Sequence, residues 1–221
     1  TPQCSATNTC ILCEADSHCT RFPSTPACSP ALGGACAACV LNSHCSSQAA
    51  AQCLSHTCVP CTNNLHCVHF TSAPLCKTAT GTCVQCLSDS DCSSTAAAKC
   101  SANNTCVPCT DSIQCSSHFP LTPVCKSLGA TGACVQCIND ADCSTITAAQ
   151  CSTTTNTCVS CTDNTHCTRF TATPLCNTAT GICVACLAHE NCTSIETPQC
   201  SATNTCILCE ADSHCTRFPS T

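Results

Sequence analysis

Tryptophan, tyrosine and methionine are absent from these 221 residues, and five Phe are the only aromatic side chains apart from His. Six Lys and Arg stand against twelve Asp and Glu, a net charge of −6. That balance leaves no basic patch for nucleic acid, whose binding rests on phosphate neutralisation. No apolar run approaches the roughly 20 residues of a membrane-spanning helix. Leu, Ile, Val and Phe together number 33. So low a share accompanies disorder when net charge is high, and here net charge is small. It still cannot offset the ordering entropy of one large core, at roughly 1–2 kcal/mol per backbone residue. There is no Gly-rich phosphate loop and no G-x-S-x-G. The paired carboxylates Asp89/Asp91 and Asp140/Asp142 lack the further oxygen ligands of a calcium loop and read as solvated charge. Without a sizeable pocket to perturb such groups, no enzymatic activity is expected.

Cysteine is what the chain has in excess: 36 residues. That density marks a disulfide scaffold, in which cross-links take the place of a core. Disulfides persist in oxidising compartments, so an extracellular or cell-surface location is expected.

The cysteines repeat. Cys-x-x-Cys occurs nine times, from Cys10/Cys13 to Cys206/Cys209, at alternating long and short steps. Long repeats span 13–36, 61–83, 109–134 and 161–183; short ones span 39–58, 86–106, 137–158 and 186–206. Segments 1–10 and 209–221 are partial repeats. Residues 1–25 recur without a difference as residues 197–221, so the eight repeats form a 196-residue period. The expectation is an excerpt from a longer array.

Long repeats carry a Phe after the second Cys (Phe22, Phe70, Phe119, Phe170, Phe218) and all six Gly in the last loop. With no other aromatic available, these Phe are expected to plug the contact between neighbouring repeats. Short repeats have an Ala-rich middle and, in three of four, an Asn near the end. Gly and Asn supply positive φ at tight turns, so each repeat reads as an irregular first half followed by a short β-hairpin. The stretch 95–99 is expected to form one helical turn, too short to be a stable helix alone. The fold class is a small disulfide-rich one: a linear tandem array, rod or solenoid, of four-Cys units with little regular secondary structure.

Four cysteines allow three connectivities, and spacing does not choose among them. The pairing preferred is first-to-third and second-to-fourth, two interlocked loops per repeat. In the long repeats it joins Cys13–Cys28 and Cys19–Cys36, Cys61–Cys76 and Cys67–Cys83, Cys109–Cys125 and Cys115–Cys134, Cys161–Cys176 and Cys167–Cys183. In the short ones it joins Cys39–Cys53 and Cys45–Cys58, Cys86–Cys100 and Cys92–Cys106, Cys137–Cys151 and Cys143–Cys158, Cys186–Cys200 and Cys192–Cys206. Cys4, Cys10, Cys209 and Cys215 are then left unpaired, their partners expected in neighbouring copies.

Nine His invite a metal reading, and His18, His44, His66, His166 and His214 each precede a second Cys. A zinc site needs a second close pair of ligands, which the spacing lacks. No metal ligand set is assigned, and these His read as surface or packing residues. A lone thioredoxin-like Cys-x-x-Cys sits beside a βαβ pattern; nine copies in a loop-rich chain do not fit that.

Hydroxyls are the next most abundant chemistry: 35 Thr and 25 Ser. Ser/Thr beside Pro recurs in one loop of each long repeat, which suits O-glycosylation at Ser24, Thr25, Thr71, Ser72, Thr122, Thr171 and Thr173. Asn103-Asn104-Thr105 is an N-glycosylation sequon, and Asn191-Cys192-Thr193 is a weaker one because its middle Cys pairs. Covalent glycans are expected, and no other cofactor.

Units such as CVQCLSDSDC and CVQCINDADC resemble the tandem Cys-x-x-Cys repeats of protist surface antigens, those of ciliates and Giardia among them, and related secreted repeat proteins. The resemblance implies a disulfide-braced extracellular coat or fibre protein, often glycosylated. The chain lacks the Tyr and the terminal motifs of the Giardia antigens. The expected function is a structural extracellular filament whose partner is itself. The alternatives are a surface antigen, adhesin or receptor stalk, and a metal-thiolate storage protein.

Overall fold

A computed structural model describes residues 3–4, 10–127 and 131–209. Each four-cysteine repeat has the same two parts. A three-residue 3₁₀ turn leads into the second Cys: Asp16–His18, Asn42–His44, Asn64–His66, Asp89–Asp91, Asp140–Asp142, Asn164–His166 and His189–Asn191. In repeat 5 its place is taken by the α-helix Ile113–Ser116. A two-stranded antiparallel hairpin then carries the third and fourth Cys.

In the long repeats the hairpins pair Ala27–Ser29 with Ala35–Ala37, Leu75–Lys77 with Thr82–Val84, Val124–Lys126 with Ala133–Val135, and Leu175–Asn177 with Ile182–Val184. In the short ones they pair Gln52–Leu54 with Thr57–Val59, Lys99–Cys100 with Cys106–Val107, Gln150–Ser152 with Thr157–Val159, and Gln199–Cys200 with Cys206–Ile207. A ninth pairs Gln3–Cys4 with Cys10–Ile11. In every repeat the third and fourth Cys stand directly opposite each other, as Cys76 does Cys83.

Two-stranded hairpins are marginal alone, and in the eight four-cysteine repeats each is stapled to the first half of its repeat. The sixteen bonds within these repeats run first-to-third or second-to-fourth, with Cα–Cα separations of 5.4–6.0 Å. That range is ordinary for disulfides. The buried side chains are almost all Cys and Ala, so the core is a string of sulfur clusters rather than a layer of aliphatic residues. By contact the chain divides into Thr1–Val107, holding repeats 1 to 4, and Pro108–Thr221, holding repeats 5 to 8.

The hairpin turns use left-handed backbone. Gly81 and Gly181 have φ of 66° and 71°, Asn104, Asn156 and Asn204 have 58°, 54° and 58°, and His56 takes the role in repeat 2 at 64°. The carbonyl of this residue accepts the N–H of the repeat's first Cys: Cys61 to Gly81 at 2.9 Å, Cys161 to Gly181 at 3.1 Å, and Cys86 to Asn104 at 3.3 Å. The three Asn side chains return a bond from Nδ2 to the carbonyl of that same Cys, at 2.9, 3.2 and 3.0 Å. One residue therefore closes the turn and ties the start of the repeat to its end.

Two expectations need correction. Residues 95–99 form no helical turn: Thr95 and Ala96 make a tight turn closed by a bridge between Ser94 and Ala97, and Lys99–Cys100 runs extended to meet Cys106–Val107. Hairpin pairing wins over the helical propensity of three Ala. Cys209 is not left open but is disulfide-bonded; a thiol at the edge of a partial repeat pairs with whatever sulfur comes within the few ångströms a disulfide spans. The side chains of Cys4 and Cys10, and all of Cys215, His214 and Phe218, lie outside the described residues.

Candidate functional site

The 3₁₀ turn places two acceptors on opposite errands. Its first residue reaches the hairpin and accepts the N–H of the third Cys. Asp16, Asn42, Asn64, Asp89, Asp140 and Asn164 do so through Oδ1 at 2.7–2.9 Å. Ser112 uses Oγ at 3.0 Å and His189 uses Nδ1 at 3.0 Å. The bond satisfies a donor that the hairpin leaves facing inward.

The last residue of the turn reaches back and accepts N–H groups just after the first Cys. His18, His44, His66 and His166 do this with Nδ1, taking Glu14, Val40 and Leu41, Thr62, and Thr162 and Asp163 at 3.1–3.4 Å. Asp91 and Asp142 take Leu87/Ser88 and Ile138/Asn139 with Oδ2 at 2.8–3.1 Å. Gln114 takes Thr110 at 2.7 Å, and Asn191 takes Leu187 and Ala188 at 2.9 Å. These four His are thus structural acceptors, not incidental surface residues. Asp89/Asp91 and Asp140/Asp142 are exposed or half-exposed, as solvated charges are, and all four carboxylates also hold backbone N–H groups. The Leu87 N–H, with those of Ser88, holds the Asp91 carboxyl below the usual carboxylate range. The Thr165 hydroxyl and N–H do the same for Asp163, which caps the neighbouring turn.

Successive repeats meet through two kinds of joint. From short to long, Phe70 packs on a cluster that includes Ala51 of the preceding repeat, and Phe170 on one that includes Ala149. Beside them Cys83 and Cys183 donate N–H to Gln48 and Ile146 carbonyls at 2.8 and 2.9 Å. His69 Nε2 reaches the Cys45 carbonyl at 2.9 Å. Its counterpart Arg169 donates to the Cys143 and Ala149 carbonyls at 2.5 Å and lies 4.5 Å from the Phe170 ring. The aromatic plug is therefore present at these two joints; Phe22 is more exposed, with Arg21 near its ring. From long to short the joint is polar. Lys77 and Lys126 donate Nζ–H to Asn104 and Asn156 at 2.7 Å, and Asn177 donates to Asn204 at 3.1 Å. Gln85 and Gln136, inside the Cys-x-x-Cys linkers, accept the Cys106 and Cys158 N–H at 2.9 Å.

The same polar joint shapes a recurring groove. One copy, about 250 Å³, lies among Ser72, Pro74, Gln85, Asp91, Ser94 and Ala97. The other, about 190 Å³, lies among Leu121, Pro123, Gln136, Asp142, Thr145 and Ala148 at equivalent positions. These are small beside ordinary ligand pockets. Of the glycan candidates, Ser24, Thr71, Ser72, Thr171 and Asn103 are exposed, while Thr25, Thr122 and Thr173 are half-buried, their N–H groups bonded to Phe carbonyls. Asn191 is exposed but its side chain holds the Leu187 loop, and Cys192 beside it is buried in its bond to Cys206.

In each of repeats 1 to 5, three sulfurs lie within 4.8 Å of one another. They are spent in disulfides, whereas a zinc site uses thiolates. No helix among the described residues is long and apolar enough to cross a membrane. What the chain is, on its own chemistry, is a disulfide-braced tandem-repeat protein of the kind oxidising compartments sustain. No protein-family model, curated protein or solved structure matches it.

Proposed function

We propose that this chain is a structural extracellular protein, a glycan-coated rod of tandem repeats that assembles with further copies of itself into a filament. The observation that carries the reading is the joint. Two-residue linkers join successive repeats, and within each half the neighbours are also bonded and packed, as at Phe70 on Ala51 and Lys77 on Asn104. Stiffness passed from repeat to repeat is what a solenoid or rod needs. The identical 25-residue stretches 196 positions apart support a regular longer period. Exposed Ser24, Thr71, Ser72, Thr171 and Asn103 offer places for glycans, and Lys77, Lys126 and Arg169, engaged at joints, offer little to trypsin-like proteases.

Electron microscopy of the native material tests this. Continuous filaments with an axial repeat are expected; short isolated particles without one overturn the reading. Intact mass after reduction then tells one long covalent chain from stacked subunits.

The recurring groove favours a second reading, a surface antigen, adhesin or stalk that binds a partner at the grooved joints between repeats 3 and 4 and between repeats 5 and 6. It expects sequence differences between copies to gather at groove-lining positions such as Ser72 and Leu121. Metal-thiolate storage, the third, expects many reactive thiols under denaturing, non-reducing conditions.

A further inference from the structure

We propose that the histidine-bearing repeats contain proton-operated loop latches. In repeats 1, 2, 3 and 7 the loop after the first Cys is held by Nδ1 of His18, His44, His66 and His166, each accepting a backbone N–H. A backbone N–H can only donate, so Nδ1 is bare and the proton of the neutral ring sits on Nε2. A second proton turns Nδ1 into a donor. The two N–H groups then face each other and the latch opens. The same device sits at the hairpin in repeat 8, where His189 Nδ1 takes the Cys200 N–H.

Charged neighbours give the released rings somewhere to go. Asp16 of repeat 1 meets His44 Nε2 at 3.2 Å while its other oxygen holds Cys28. His166 has Asp140 of repeat 6 at 4.0 Å on Nε2 and Asp163 at 3.6 Å on Nδ1. Arg169 donates to the His166 carbonyl at 2.6 Å and also grips repeat 6. At His66 the Thr62 hydroxyl lies 3.5 Å from Nδ1, and the Asn63 side-chain nitrogen, itself a donor, lies 3.5 Å from Nε2, so an Nε2–H has no acceptor there. His18 holds the N–H of the acidic residue Glu14. Opening at His44 and His166 therefore bears on the joint to the preceding repeat, while the disulfides keep each repeat closed.

The chain contains its own controls. Repeats 4, 5, 6 and 8 fill the latch position with Asp91, Gln114, Asp142 and Asn191. Amides do not titrate near neutrality, and the Leu87 and Ser88 N–H groups hold the Asp91 carboxyl below the ordinary carboxylate range.

The test is amide exchange and histidine ¹⁵N spectroscopy on the intact, oxidised 221-residue chain. At about pH 7.5 the Nδ1 of His66 and His166 is expected to be unprotonated. Between about pH 7.5 and pH 5, the interval in which histidine changes charge, the protection of Thr62 and Asp163, corrected for intrinsic exchange, should fall about tenfold, the worth of one hydrogen bond. That of Thr110, Leu87, Ser88 and Ile138 should stay within about twofold. His66→Gln gives repeat 3 the acceptor of repeat 5 and should flatten the Thr62 profile. Equal changes at all loops, a Thr62 profile unmoved by H66Q, or a proton on Nδ1 at neutral pH each overturn the proposal. Should H66Q not fold, the histidine spectrum and the Thr62 to Thr110 comparison in the unaltered chain decide it.

Discussion

Three residues before each second cysteine stand Asp, Asn, Ser or His, and one residue before it His, Asp, Gln or Asn. What unites each set is an acceptor atom at a fixed reach, a property that residue names conceal. Asp89→Asn should therefore be close to neutral, because Asn42, Asn64 and Asn164 already do the same work. Asp89→Ala leaves the part-buried Cys100 N–H unpaired and should cost about 1–3 kcal/mol, read as lost amide protection at Cys100. The latch aspartates carry a pH consequence of opposite sign to that of the His. The Asp91 carboxyl is held below its ordinary range by the Leu87 and Ser88 N–H groups. Its contribution is thus present above the unfolded carboxylate range and disappears as pH falls through the lowered folded value. Leu87 and Ser88 amides should keep their protection at about pH 5 and lose it only as pH falls below the ordinary carboxylate range; loss near pH 5 would falsify that assignment. These roles were not legible in the sequence: a reading by residue type saw copied surface His and solvated Asp pairs. A reading by column, asking which atom every variant shares, holds the missing signal.

At the scale of the element, more could be read. Gly or Asn between two cysteines predicts a turn with positive φ, and the hairpins at Gly81, Gly181, Asn104 and Asn156 have it. The connectivity could not be read, since three pairings satisfy the same spacing. The structure supplies it: Cys76 faces Cys83 across the hairpin, and the two sulfurs bond Cys61 and Cys67 in the first half of the repeat. The Ala stretch was misread because helix propensity is a weak prior beside strand pairing. Two glycines in the hairpin loops of different repeats separate two physical demands. Gly33 at φ 68° has open space where a Cβ would stand, so Gly33→Ala meets only the left-handed backbone penalty, about 1–2 kcal/mol. At Gly81, φ 66°, a Cβ would lie 2.4 Å from Pro60 Cβ in the linker. Gly81→Ala must displace the linker as well and should lower the thermal midpoint clearly more than Gly33→Ala. Equal effects would mean that the linker yields freely and is no fixed joint.

At the scale of the whole molecule, stability should be a sum of repeat terms and joint terms, since each repeat closes its own two disulfides and touches few others. Removing one cross-link tests this. Cys61 and Cys76 are 15 residues apart, and releasing a loop of that length costs about 3 kcal/mol in the chain-entropy account. Changing both to Ala should strip amide protection from residues 61–83 and weaken the neighbours that lean on them, through Phe70 on Ala51 and Lys77 on Asn104. Residues 137–206, with their own bonds, should keep theirs. Phe70→Ala is the complementary change. It removes the plug between repeats 2 and 3 but leaves every disulfide in place, so protection should fall at the joint amide of Cys83, which bonds the Gln48 carbonyl, and hold within both hairpins. Exchange mapped residue by residue separates the outcomes. Local loss in both variants fits a chain of stapled repeats coupled only through their joints. Loss spreading through residues 137–206 in either would make the molecule one cooperative unit, and the repeat-by-repeat account of its stiffness would have to be given up.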